Sequence, residues 1–152
     1  DNKALDFARM IAGVTGPLIL CGDLNCINPE DHIDRAALIA SFAHFTATAE
    51  TAVDQLIESG RLVFGALYQR GLRDAVPPAG RRYSIPTDLL NTDKSSAIRI
   101  DHILANDLIE VLSGEVFHSA ASNLASDHHP VMIEFRVRQT DGRADQAPPG
   151  AP

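Results

Sequence analysis

A carboxylate and an amide, Asp23 and Asn25, stand two positions apart at the end of the apolar run of residues 17–21. That run is bounded by Gly16-Pro17 and by polar residues, and it reads as a buried strand. Alternation along a strand would send Asp23 and Asn25 the same way from its C-terminal rim. Such a pair can orient a water or hold an oxygen of a metal-bound phosphate. Asp and Asn after Gly are also common turn residues, so the pair alone decides nothing. Asp101 lies within an otherwise apolar strand, where a carboxylate is costly to bury without a partner. Arg99 is the ordinary candidate for that partner. His102 faces the other way, beside Ile100 and Leu104, and suits a hydrogen-bonded core histidine. Asp127-His128-His129 crowds an acid and two imidazoles ahead of a strand that starts at Pro130. Divalent metals want carboxylate oxygens, and a histidine doing acid–base work wants a carboxylate to fix its tautomer. Asp101 can orient His128 while Asp127 holds a metal. A plain polar turn is the competing explanation.

Other groupings are weaker. Ser126 near His128 suggests a Ser/His/Asp hydrolase, but the Gly-x-Ser-x-Gly elbow is missing. His32 and Asp34 fall on different helix faces, and His44 and His118 have no visible partner. Cys21 and Cys26 have neither redox nor zinc spacing and read as reduced packing residues.

The elements that must position these groups follow from periodicity. Residues 3–13 read as a helix with Leu5, Ala8, Ile11 and Ala12 on one stripe. Residues 17–22 form a strand, and residues 28–31 a turn or helix start. Residues 33–45 read as a helix carrying Leu38, Phe42 and Phe45. Residues 50–59 read as another, with Val53, Leu56 and Ile57, stopped by Gly60; residues 61–70 read as a further helix stopped by Gly71. After the break at Pro77-Pro78-Ala79-Gly80 the pattern turns to strands: 82–85, 97–104, 109–117 and 131–137. Ile98, Ile100, His102 and Leu104 share one face of the second of these. Residues 138–152 lack periodicity and read as a disordered tail. The order predicts an α+β fold: one mostly antiparallel sheet with helices on one face, its other face needing a partner.

Bulk properties bound the function. The 152 residues suit one domain, 1–137, and a net charge of −7 gives no support to nonspecific duplex binding. Arg81-Arg82 and Arg99 are the local hints of an anion site. No apolar run reaches membrane-spanning length.

Taken together and in this order, Gly22-Asp23-Leu24-Asn25, Arg99-Ile100-Asp101-His102 and Ser126-Asp127-His128-His129-Pro130-Val131 resemble the endonuclease/exonuclease/phosphatase, or DNase-I-like, family. Tyr83-Ser84-Ile85-Pro86-Thr87-Asp88 adds to the likeness. The resemblance implies half of a DNase-I-like α/β sandwich and a phosphoesterase using Mg²⁺ or Mn²⁺. Asp23 would activate water or protonate the leaving group, Asn25 would bind the phosphate, and Asp101 would fix His128. His128 would contact the scissile phosphate and Asp127 would ligate the metal. The family acts on nucleic acids, nucleotides, lipids and inositol phosphates. Its first half supplies an Asn and a Glu for the metal, and nothing ahead of Asp23 matches them. The resemblance therefore makes this chain the C-terminal half, lacking the N-terminal half as partner, and expected to be inactive alone. Two alternatives stand beside it: a non-catalytic truncated module binding a partner, and a DHH-type phosphoesterase built on Asp127-His128-His129.

Overall fold

The computed structural model describes residues 3–139. In chain order the elements are α1 (Lys3–Met10), β1 (Ile19–Asp23), α2 (Arg35–Phe42), α3 (Ala49–Gln69) and β2 (Arg73–Asp74). There follow a 3₁₀ turn (Pro78–Gly80), β3 (Asp101–Ala105), β4 (Ile109–Val116), α4 (Ser122–Ala125) and β5 (Val131–Val137). The expected class holds: mixed helices and strands, with the pairings among the described residues antiparallel. The single sheet expected is divided into two hydrogen-bonded units, a three-stranded sheet ordered β1-β3-β2 and a β4-β5 ribbon. Asn106-Asp107-Leu108 links the two units, with Ile109 N bonded to Asn106 O at 3.0 Å.

Burial follows the alternation of β3 and its lead-in. Ile98, Ile100, His102 and Leu104 are all buried. Leu104 packs with Ile11, Phe64, Leu67 and Leu72, which seats α1 and α3 on that face. Ile98 and Ile100 pack with Ile27, Leu38 and Val53, which seats α2 and α3 beside them. On the opposite face Ile19 and Ile103 meet Ala75, Ala105, Ile109, Val111 and Ile133. The ribbon is amphipathic, because directly opposed residues share a face. Val111 pairs with Phe135 and Ile109 with Val137, while Glu110 pairs with Arg136 and Ser113 with Glu134. Its apolar side is only partly covered: Phe135 is 43% and Val137 53% exposed.

Several expectations change. The two helices expected on either side of Gly60 are one, because α3 runs through it. Gly60 serves packing: a Cβ there would lie 1.9 Å from the Ile27 carbonyl oxygen. Phe45 is exposed, since α2 ends at Phe42 and the chain turns off the helical phase. Ala12 is exposed because α1 stops at Met10; the Leu5 side chain lies outside the described residues. The strand expected at 82–85 is reduced to one bridge, Ile85 with Ile98, and β3 is regular only from Asp101. The two-residue β2 was not anticipated. Of the tail, residues 140–152 lie outside the described residues. Among the described residues no helix is long and apolar enough to cross a membrane. Both cysteines are free; Cys21 is exposed, while Cys26 is buried and its thiol is pushed up to about 11, first by burial and then by Asp23.

Candidate functional site

The register of the β1–β3 ladder ends with Asp23 directly opposite Asp101, so both carboxylates reach one rim. Asp101 does not pair with Arg99. Its Oδ2 lies 2.7 Å from Nδ1 of His128. The imidazole is pulled two ways: partial burial disfavours its charge, while the bond to Asp101 and the negative charges of Asp101, Asp127 and Asp23 favour it. The net result is a pKa above the ordinary histidine value.

Asn25 joins Asp23 by a different route from strand alternation. β1 stops at Asp23, and Asn25 sits past it in the left-handed region, φ 49°. Asn tolerates that conformation better than most residues. The turn is held by Asp23, whose Oδ1 accepts from Asn25 N at 2.7 Å and whose Oδ2 accepts from Asn25 Nδ2 at 3.1 Å. Asp127 is exposed, and its Oδ1 accepts from Ser126 Oγ at 3.2 Å. The same hydroxyl accepts from His128 N at 3.2 Å, closing the turn that presents both residues. Asp23, Asn25, Asp101, Asp127 and His128 are thus linked at one rim. Beside them runs a groove of about 570 Å³, lined by Cys21, Gly22, Asp101, Ser126, His128 and Val131 among others.

The remaining singled-out residues lie away from that rim. His102 is a core histidine, as expected: Nε2 bonds to the Cys26 carbonyl at 3.1 Å and the ring meets Phe64 edge-on. His129 is buried, bonded through Nδ1 to Ser122 Oγ at 3.1 Å and stacked on His118 at 3.9 Å. His118 does have partners, since Nε2 also meets the Tyr83 carbonyl at 2.8 Å. The Asp127-His128-His129 run therefore splits between rim and core, which removes the basis for a DHH-type site. Asp34 caps α2, accepting from Ala37 N at 3.0 Å.

Arg81, Arg82 and Arg99 are each paired with carboxylates. Arg99 binds Asp31 at 2.8 and 2.9 Å and also grips Asp74. Arg81 meets Glu30 at 2.9 Å, and Arg82 meets Glu115 at 3.1 Å. Asn28, fully buried, donates to Asp74 Oδ2 at 2.8 Å and to Tyr68 OH at 3.0 Å. This network ties the loop after Asn25 to β2 and to the start of β3. Asn28, Asp31 and Asp74 carried no sequence signal, because their partners lie 25 to 68 positions away.

The donors for a divalent cation are few. Asp101 is occupied by His128 and Asp23 by Asn25, and among the described residues no three His, Cys, Asp or Glu side chains gather as a metal site. Magnesium and manganese favour several oxygen ligands. The described residues therefore do not by themselves make up a complete metal site.

The endonuclease/exonuclease/phosphatase family model matches residues 1–128. The chain belongs to that family. A curated relative, the DNA repair nuclease APEX1 of Danio rerio, is 26% identical over 137 residues, which is 88% of this chain and 41% of the relative. A crystal structure of an endonuclease/exonuclease/phosphatase from Bacteroides vulgatus superposes with TM-score 0.55 at 17% identity, covering 89% of this chain and 42% of that one. The chain thus spans about two-fifths of each of these family members. The structural likeness confirms a fold made of antiparallel sheets and few helices.

Proposed function

We propose that this chain is the C-terminal half of a phosphoesterase domain and supplies its acid–base groups. The observation that carries this reading is the 2.7 Å contact between Asp101 and His128, formed beside Asp23 within a chain of this family. Asp101 occupies Nδ1 and leaves Nε2 as the nitrogen for substrate. The raised pKa favours the charged form of His128, which suits it to neutralise charge growing on a phosphoryl oxygen. Asp23 accepts the proton of an attacking water, held in place by Asn25, which also donates to the phosphate. Water adds to phosphorus as the P–O ester bond breaks, and the leaving oxygen takes up the proton that Asp23 removed from the water.

Mg²⁺ or Mn²⁺ dependence belongs to the assembled domain, with Asp127 as this chain's ligand and the others supplied by the N-terminal half. That half is also the partner for the apolar side carrying Phe135 and Val137, whose exposure is far above that of a covered sandwich face. The relative's name concerns DNA repair. In this chain, net charge −7 and the pairing of Arg81, Arg82 and Arg99 with carboxylates favour small phosphoesters, nucleotides or lipid head groups over a bare polyanion.

The test is hydrolysis of a generic phosphodiester with Mg²⁺ by this chain alone and by the chain joined to an N-terminal half. The joined protein should turn over, and His128→Ala or Asp23→Ala should cost roughly 10²–10³ in kcat. Activity unaffected by both substitutions would refute the assignment. Turnover by the isolated chain that disappears in Asp127→Ala would refute its incompleteness.

A further inference from the structure

Asp101 and His128 come from segments 27 positions apart, and their contact needs both backbones held in register. One short segment touches both. Ser84, fully buried, accepts through Oγ from Ile100 N at 3.0 Å and from Asp101 N at 3.2 Å. Its carbonyl accepts from His129 N at 2.8 Å, one residue past the imidazole. Its own N–H donates to the Ile98 carbonyl at 2.9 Å. Three residues on, Thr87 is also fully buried; its N donates to the Asp127 carbonyl at 3.3 Å and its hydroxyl donates to the Ser126 carbonyl. The turn that presents Asp127 and His128 is thus gripped on both sides, and the grip continues through a single side chain into Asp101.

We propose that Ser84 is a positioning residue that sets the Asp101–His128 contact, with Thr87 fixing the opposite side of the same turn. Ser84 suits the task because its hydroxyl is short and buried, and it lies between two segments whose spacing must not change. Removing it takes away the acceptor it supplies to two amide groups in a dry environment, so the start of β3 must shift to find others. A displacement of about 1 Å at a reacting group can cost some 10²-fold in rate. The inference rests on the proposed acid–base role of His128 for its catalytic meaning, but its geometric content is independent of any activity.

The experiment follows, by NMR at one fixed pH, the downfield proton resonance of His128 Nδ1–H, the signature of its bond to Asp101 in this chain. Asp101→Asn should move that resonance upfield and defines the effect of losing the contact. Ser84→Ala, with the fold checked by circular dichroism, should move it the same way, and Ser84→Thr, which keeps the hydroxyl, should restore the parent position. Should Ser84→Ala not fold, the isosteric Thr87→Val removes one hydroxyl bond on the other side of the turn and should move it upfield as well. A folded Ser84→Ala with the resonance where it stands in the parent overturns the proposal; if Ser84→Ala does not fold, an unshifted Thr87→Val does so. Absence of phosphoesterase activity in the joined protein would count against the functional reading while leaving this readout intact.

Discussion

Asp23 and Asp101 are cross-strand partners at the last register position of the β1–β3 ladder. Two carboxylates directly opposite each other repel, at a cost of about 0.2–1 kcal/mol. Here each has its own relief, Asn25 for Asp23 and His128 for Asp101. Asp23→Asn keeps an oxygen for the Asn25 amide and removes one charge. It should raise the melting temperature by about 1–4 °C while costing roughly 10²–10³ in kcat in the joined domain. A melting temperature at or below the parent's would mean the repulsion is already fully relieved.

The histidines give stability a pH signature. The pKa of His128 is raised in the folded chain, so its contribution is complete below the unfolded value of about 6.5 and is lost as pH climbs through the raised one. His102 and His129 shift downward: His102 by burial and then Arg99, His129 by burial and then His118. Their protonation is resisted in the fold, so stability falls as pH drops below about 6.5. Urea midpoints measured from pH 5 to 8 should therefore decline on both sides of a maximum. Asp101→Asn should flatten the decline on the alkaline side, leaving the weaker pull of Asp127 and Asp23, and leave the acid side in place.

Arg99→Met should destabilise strongly. Asp31 and Asp74 would keep their charges in a buried place without the guanidinium that pairs with them. Burial pushes Asp74 up, but hydrogen bonds from Arg99 and the Val76 amide, with the charges of Arg99 and Arg81, hold it below the usual carboxylate range. Breaking a buried pair from one side costs about 3–5 kcal/mol. Arg99→Lys should recover only part of this, because an ammonium cannot span two carboxylates as the planar fork does. Chemical denaturation of both variants measures the difference.

Gly60→Ala tests the packing of α3. On helix propensity alone alanine is better by about 1 kcal/mol. The new methyl would sit 1.9 Å from the Ile27 carbonyl oxygen, and backbone must give way. Overpacking of this kind costs about 1–3 kcal/mol, so the midpoint of urea unfolding should fall. A rise would show that the loop after Asn25 yields freely.

The legible parts of this fold were those with a local signature. Alternation marked β5 and the Ile98–Leu104 face, and ordered short motifs marked Asp23, Asn25, Asp101, Asp127 and His128. The contact between Asp101 and His128 was expected from the need of an imidazole for a carboxylate. Gly60 misled because a glycine inside a helix reads as a stop until the carbonyl packed against it is seen. Asn25 reached its place by a left-handed turn that a strand pattern does not encode. Ser84 carried no chemical signal beyond its place in a family-like stretch, since a hydroxyl that binds only backbone looks like any small polar residue. Asp31 and Asp74 were invisible for a related reason: Arg99, which binds both, lies 68 and 25 positions away.

The two thiols differ in a way that can be put to use. Cys26 is closed off and protonated, whereas Cys21 stands open next to Gly22 on the sheet side that faces the groove. A maleimide dye should couple at Cys21 alone, two strand positions before Asp23. Its emission would then report the moment another polypeptide closes over that surface, in real time and without any substrate.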